Sequence, residues 1–399
     1  MSPRNVALPR LAALLALVTL GSLACERKAP PPAPAPAAPT QAQAPVEEGP
    51  IVIGSVGSLT GPQAPFGVPV LDGIQFAVDQ VNAAGGVKGR KVEVRSYDSQ
   101  GRLEDSVSAA QRLISKDRVL LILGDISSSG SLGIADVAQA AKVPMVTPSA
   151  THPDVTRKGD YIFRTCFIDA FQGLVMARFA RDNLKLERVS ILQDSRDSYS
   201  LGLSQAFAEA FTKLGGTIVS VESYSKGDTD LRSPLLAVKK MKPQALYIPG
   251  FYAEVGLIAR QAQELGLKLP MLGGDGWDSD RLLELGGDAL EGSYYSSHYA
   301  QDNPSPEQKR FATAYQERSG HLPDVSVVLG YEATRVALAA MERAESLTGP
   351  AIRDALAKTK DVPVISGTLT LDAERNPVKP AVILRIHGGK REFVAAVTP

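Results

Sequence analysis

The 399-residue chain has little of what marks the common enzyme classes: two cysteines, one tryptophan, four histidines, and basic and acidic residues balanced at 43 each. After Cys25, which directly follows an N-terminal leader, only Cys166 remains, so a disulfide framework is excluded. Cys166, within the apolar run Tyr161 to Ile168, reads as a small buried hydrophobe. Balanced charge excludes a nucleic-acid surface or a polybasic membrane patch. His152, His298, His321 and His387 show neither HxxxH nor HExxH spacing, so no zinc site is expected. GxSxG and GxxxxGK[ST] are both missing, and no cofactor is expected. Gly54, Gly57 and Gly61 have the wrong spacing for a dinucleotide fingerprint and read as a flexible mouth loop. Ser223 and Lys226 match SxxK without the companion SDN and KTG motifs. Asp275, Asp278 and Asp280 lack the EF-hand spacing, which leaves helix capping as the simpler role of Asp278 or Ser279.

Long apolar runs are also scarce. Leu11 to Leu20, preceded by Arg4 and Arg10, is short for a bilayer span and reads as the core of a signal peptide over residues 1–24. The segment Ser22, Leu23, Ala24, Cys25 resembles a bacterial lipobox, with Cys25 as the acylated residue and Ser22 where leucine is usual. Ordinary signal-peptidase cleavage is the alternative. Residues 25–50 hold eight prolines between Ala29 and Pro50 and no apolar periodicity, the composition of an extended tether or of a processing remnant.

From Ile51 the pattern changes. Short β-branched runs alternate with amphipathic stretches, which predicts parallel sheets covered by helices. One series runs from the strand Ile51 to Val56, through a helix from about Val68 to Ala84, to Thr147; a second begins near Asp169. The expected architecture is two Rossmann-like α/β lobes with parallel-sheet cores, joined by a multi-strand hinge around a cleft. Residues 51–168 with 299–371 would form the N-lobe, and 169–298 with 372–399 the C-lobe.

The stretch from Gly124 to Thr156 is the most informative. Two strands end in small hydroxylated residues, Ser127 to Ser129 and Ser149 to Thr151, and the triple serine falls where a helix begins. Such hydroxyls satisfy the helix's first N–H groups, and an anion is able to take the same groups. Ordinary capping is the alternative. Asp275, between glycines at a later strand end and beside Trp277, suits either a ligand ammonium or a turn cap.

The ordered motifs GSLTGPQAPFG, NAAGGVKGRKVEV with YDSQ, SSSG, TPSATHP, FRTCFIDAFQG, GFYAEVG and GGDGWDS extend over Ile51 to about Phe393. In them the chain resembles the leucine/isoleucine/valine-binding proteins of ABC transporters, a family of type I periplasmic binding proteins. The resemblance implies a non-catalytic solute-binding component that delivers an amino-acid-like ligand to a membrane permease. It implies that Ser128 and Thr151 take the ligand carboxylate, with Ala150 between them and the Ser149 carbonyl accepting from the ammonium. Asp275, where relatives often carry Glu, would be the acidic partner. Phe66, Tyr199 and Tyr252 would cover the ligand, and Trp277 would offer a wider aromatic surface than a branched aliphatic pocket needs. A monomeric, lipid-anchored periplasmic protein without nucleic acid or metal is expected. The same fold hosts envelope sensors that signal to a partner. A hydrolase using Ser128 or Ser223 would need a general base, and the sequence offers no obvious one.

Overall fold

The computed structural model describes residues 49–302 and 304–398. The leader, Cys25 and nearly all of the tether lie outside the described residues.

In the N-lobe, strands β1 (Ile51–Gly57), β2 (Val92–Asp98), β3 (Ile122–Leu123), β4 (Met145–Thr147) and β5 (Ile162–Arg164) form a parallel sheet in the order β2-β1-β3-β4-β5. Its connecting helices are α1 (Ala64–Ala83), α2 (Leu103–Ser115), α3 (Ser128–Ala141) and α4 (Asp154–Arg157). In the C-lobe, β6 (Arg188–Asp194), β7 (Thr217–Tyr224), β8 (Ala245–Ile248), β9 (Met271–Gly273) and β10 (Tyr294–Ser297) are parallel. Helices α5 (Asp169–Arg178), α6 (Ser198–Lys213), α7 (Arg232–Met241), α8 (Tyr252–Glu264) and α9 (Asp280–Gly286) accompany them. The chain then forms α10 (Pro306–Ser319), α11 (Val325–Arg343), α12 (Gly349–Ala357) and the small hairpin β11 (Val362–Val364) and β12 (Gly367–Leu369). Finally β13 (Ala381–His387) and β14 (Lys390–Val397) join the C-lobe sheet antiparallel, giving β14-β13-β10-β9-β8-β6-β7.

Strands β3, β4, β5, β8 and β9 are short and wholly buried because each parallel sheet is covered on both faces, whereas the edge strands β2 and β7 are partly exposed. Strand order reverses between β1 and β3 in one sheet and between β6 and β8 in the other. Connections leave in opposite directions there, which opens a crevice at the carboxyl ends of the strands. The two crevices face each other.

Two expectations change. Gly54 and Gly57 lie within β1, not in a mouth loop, and a Cβ on Gly54 would stand 2.7 Å from Leu113 of α2, so packing selects glycine there. Residues 372–379, expected with the C-lobe, stay on the N-lobe. Arg375 donates through Nε to Ile162 O (3.1 Å) and through Nη2 to Thr156 O (2.9 Å), and Lys379 is buried against Glu332 of α11 at 2.7 Å. The turn at Asp372–Asn376 closes on its own hydrogen bonds, so it carries no apolar period to reveal its partner.

Helices α1 and α11 cross backbone to backbone. A Cβ on Gly73 would lie 2.1 Å from Val327 O, and one on Gly330 2.2 Å from Val70 O. Gly330→Ala must therefore push the helices apart, and we expect a loss of about 1–3 kcal/mol. Urea unfolding should show a lower midpoint at unchanged slope; an unchanged midpoint would mean that the crossing is slack.

Candidate functional site

On the N-lobe side, β3 runs into a loop ordered by the buried carboxylate of Asp125. This group accepts from the Ser127 N–H (2.9 Å), the Ser127 hydroxyl (3.1 Å) and the Ser106 hydroxyl (3.1 Å). Ser127 is the N-cap of α3, its Oγ accepting from the Gly130 N–H at 3.1 Å. Capping is thus done one residue before Ser128. The Ser128 hydroxyl is left to face the cleft, where it accepts from the His152 N–H at 3.2 Å.

The end of β4 is braced in the same way. The Ala150 N–H donates to Thr147 Oγ1 (3.1 Å), the Ser149 hydroxyl donates to Ile126 O (3.1 Å), and the buried Arg164 guanidinium donates to Ala150 O (2.6 Å) and His152 O (2.8 Å). Thr151 Oγ1 is buried without a partner. Beside it, at the first turn of α5, lies Asp169, 1% exposed, with neither oxygen in an acceptable hydrogen bond. Burial pushes the Asp169 carboxyl up to about 8; the Thr151 hydroxyl and the Arg164 charge oppose the shift, and the Asp275 charge adds to it.

The C-lobe presents Asp275 just beyond β9. Its Oδ1 accepts from Gln172 Nε2 (3.0 Å) and the Tyr199 hydroxyl (2.9 Å), and its Oδ2 lies 3.2 Å from His298 Nε2. Gln172 also accepts the Asp275 N–H at 2.8 Å and the Ser296 hydroxyl at 2.9 Å, so one amide fixes both the backbone and the side chain of residue 275. Burial is the main force lowering the affinity of His298 for a proton, and the neighbouring Asp275 opposes it.

Between the lobes is a cavity lined at one end by Ser128, Ser149, Tyr199, Asp275 and His298 and elsewhere by Phe66, Val70, Ile126, Phe251, Val325 and Leu329. The largely apolar lining with a few convergent polar groups is that of a small-molecule site. Of the residues expected from the sequence, Phe66, Ser128, Ser149, Tyr199 and Asp275 line it, whereas Ala150 and Thr151 are buried behind the end of β4. Tyr252 closes the mouth, its hydroxyl donating across the cleft to Pro62 O (2.6 Å) and its ring meeting Phe66 edge-on at 5.5 Å.

Trp277 does not reach the cavity. It is fully buried, donates from its indole to Ile248 O at 2.9 Å and lies against Tyr295. Asp275 to Trp277 is one 3₁₀ turn, which rotates residues two apart by about 120° and sends Asp275 to the cleft and Trp277 to the core. The wide aromatic surface expected from Trp277 is therefore missing. Gln172, His298, Phe251 and Asp169 went unread as site residues; all but His298 stand inside the motifs FRTCFIDAFQG and GFYAEVG.

Among the described residues no group of three or more His, Cys, Asp or Glu is arranged to hold a metal, and no helix is long and apolar enough to cross a membrane. The lobes also bond to each other directly: the Ser129 hydroxyl donates to Asp197 (3.1 Å) and accepts from the Ser198 N–H (3.2 Å) at the start of α6, and Lys226 donates to Gly101 O (3.3 Å).

This arrangement has close counterparts. The family model described as periplasmic binding protein matches residues 50–390. A Leu/Ile/Val-binding protein homolog of Brucella melitensis is 34% identical over 80% of this chain and 86% of its own, and the Leu/Ile/Val-binding protein BraC3 of Rhizobium johnstonii is 34% identical over 82% and 89%. Among solved structures, the leucine-binding protein LivK of Thermotoga maritima superposes with a TM-score of 0.82 at 37% identity, covering 88% of this chain and 99% of that one. The substrate-binding protein LivJ of Streptococcus pneumoniae, in complex with isoleucine, gives 0.82 at 30% identity over 88% and 100%. Two facing α/β crevices, a polar end split between them and this extent of likeness place the chain in the Leu/Ile/Val-binding protein family of periplasmic binding proteins.

Proposed function

We propose that this chain is the extracytoplasmic solute-binding component of an ABC importer, and that it holds an α-amino acid with an apolar side chain between its closing lobes. The observation that carries the reading is the division of charge across the cavity. Ser128, at the N-terminus of α3, offers the helix dipole and a hydroxyl to a carboxylate. Asp275 offers negative charge to an ammonium. A buried ion left unpaired costs several kcal/mol, so the two ends of a zwitterion are matched and a ligand lacking either end is rejected. Apolar residues take the side chain.

Ligand delivery, not turnover, is the function. Ser128 meets a backbone N–H rather than a base, and the Nδ1 of the neighbouring His152 accepts from the Asp154 N–H at 3.2 Å. Contact with both lobes makes the ligand favour the closed arrangement by its differential affinity, and micromolar binding would supply roughly 8 kcal/mol. A permease that reads this arrangement is the partner, and acylation at Cys25 with the following tether would keep the protein at a membrane surface.

Calorimetry with leucine should find that Asp275→Ala and Ser128→Ala each weaken binding at least about tenfold, on the order of 1.4 kcal/mol. Retained affinity in both variants would remove these residues from the site. Proton traffic provides a second check. With its carboxyl raised to about 8, Asp169 is largely protonated at neutral pH, and an ammonium that neutralises the neighbouring Asp275 removes part of the repulsion that keeps it so. Binding should then release a proton, and affinity should rise with pH up to about 8. Titrations in buffers of different ionisation enthalpy will detect the release, which Asp169→Asn should abolish.

A further inference from the structure

We infer that His298 is a positioning residue for the ammonium site. As the neutral Nε2–H tautomer it aims Asp275 at the ligand, and on gaining a second proton it takes the carboxylate's charge for itself and expels the ammonium. The inference rests on the amino-acid-binding reading and deepens it.

Placement comes first. Strands β9 and β10 are parallel neighbours, with Leu272 opposite Tyr294 and Gly273 opposite Tyr295. Asp275 and His298 therefore leave adjacent strand ends on one edge of one sheet. Gln172 of α5 and Tyr199 of α6 belong to the same lobe, so the whole cradle moves as a unit when the lobes open.

The tautomer follows from burial. The His298 side chain is 1% exposed, Nε2 lies 3.2 Å from Asp275 Oδ2, and Nδ1 is buried without a partner. A proton placed on Nδ1 alone would bury an unpaired N–H and set the Nε2 lone pair against a carboxylate oxygen, both unfavourable. The ring is stacked over Phe167, with centroids 3.7 Å apart and planes 18° apart, which fixes the plane in which it meets Asp275.

The cradle then counts out the acceptor capacity. A carboxylate has about four lone-pair sites. Gln172 and Tyr199 occupy Oδ1 and His298 occupies one site on Oδ2, which leaves about one for the ligand. The charged groups facing His298 are Asp275 from the turn after β9, Glu332 from α11 and Lys379 from the final crossing; the last two neutralise each other at 2.7 Å. Asp275 is thus the anion against which a protonated imidazole would pair. Burial holds that protonation below the ordinary histidine value of about 6.5.

The test uses leucine as the probe, with binding measured by calorimetry on the full protein from about pH 8 to about pH 5. Glutamine at position 298 keeps an N–H donor and cannot titrate. The affinity of each protein is therefore read relative to its own value at about pH 8, so that any uniform loss in H298Q does not enter the comparison. Below about pH 6.5 the dependence of affinity on pH should steepen in the wild type and not in H298Q. An identical pH profile in the two proteins overturns the inference and leaves the amino-acid-binding reading standing. A wild type that binds no leucine at any pH overturns that reading and the inference with it. A ligand-free measurement separates the two further. In histidine-labelled wild type, nitrogen NMR should show the Nε2–H tautomer at the ring in contact with Phe167, and the Nδ1–H tautomer there would overturn the inference whatever leucine does.

Discussion

Two neighbouring carboxylates at one lobe face, the buried Asp169 and the half-buried Asp275, are the constraint around which the cleft is organised. Like charges in a poorly solvated place raise each other's cost, and here one of the pair resists ionisation well into the neutral range. The surroundings offset this on one side only. Gln172, Tyr199 and His298 all donate to Asp275, whereas Asp169 has no hydrogen bond of acceptable geometry and is eased only in part by the nearby Thr151 hydroxyl and the Arg164 charge. Such a site is electrostatically incomplete without a cation. Across the cavity the polarity reverses, because the N-terminus of α3 turns free N–H groups and the Ser128 hydroxyl toward the same space.

The scaffold delivers these groups by a simple rule. Each comes from the carboxyl end of a parallel strand or from the helix that follows it, and the two places where strand order reverses set the crevices opposite each other. The apolar end of the cavity has a different origin. Val325 and Leu329 sit on the first turns of α11, whose close crossing with α1 through Gly73 and Gly330 also fixes Val70. The buried pair of Lys379 and Glu332 anchors the last interlobe crossing to that same helix, so α11 is at once cavity wall and hinge support.

Much of this was legible in the sequence, for identifiable reasons. Alternating β-branched and amphipathic runs encode the parallel sheets, and a hydroxyl cluster after a short apolar strand encodes the start of α3. What the pattern could not resolve was which serine caps and which faces out; Asp125, by engaging Ser127, decides that. Trp277 was misplaced because a 3₁₀ turn, not an extended strand, follows Gly274, and the two send a side chain in opposite directions. The pairing of Asp275 with Gln172 and His298 was invisible for a more general reason. Gln172 lies 103 positions before Asp275 and His298 lies 23 after it, and they meet only because of strand order, which local spacing does not encode. Residues 372–379 escaped similarly, since Arg375 bonds backbone carbonyls that any sequence provides and the partner of Lys379, Glu332, lies 47 positions earlier.

The bonds that join the lobes without entering the cavity bear on time rather than on recognition. Ser129 ties the starts of α3 and α6 together, and Tyr252 reaches Pro62 over the mouth. A bound molecule has to wait for these to break before it can leave, although it touches none of them. Under the proposed function, its residence would be gated by the protein's own opening, and the interval open to a membrane partner would depend on a serine and a tyrosine at the rim.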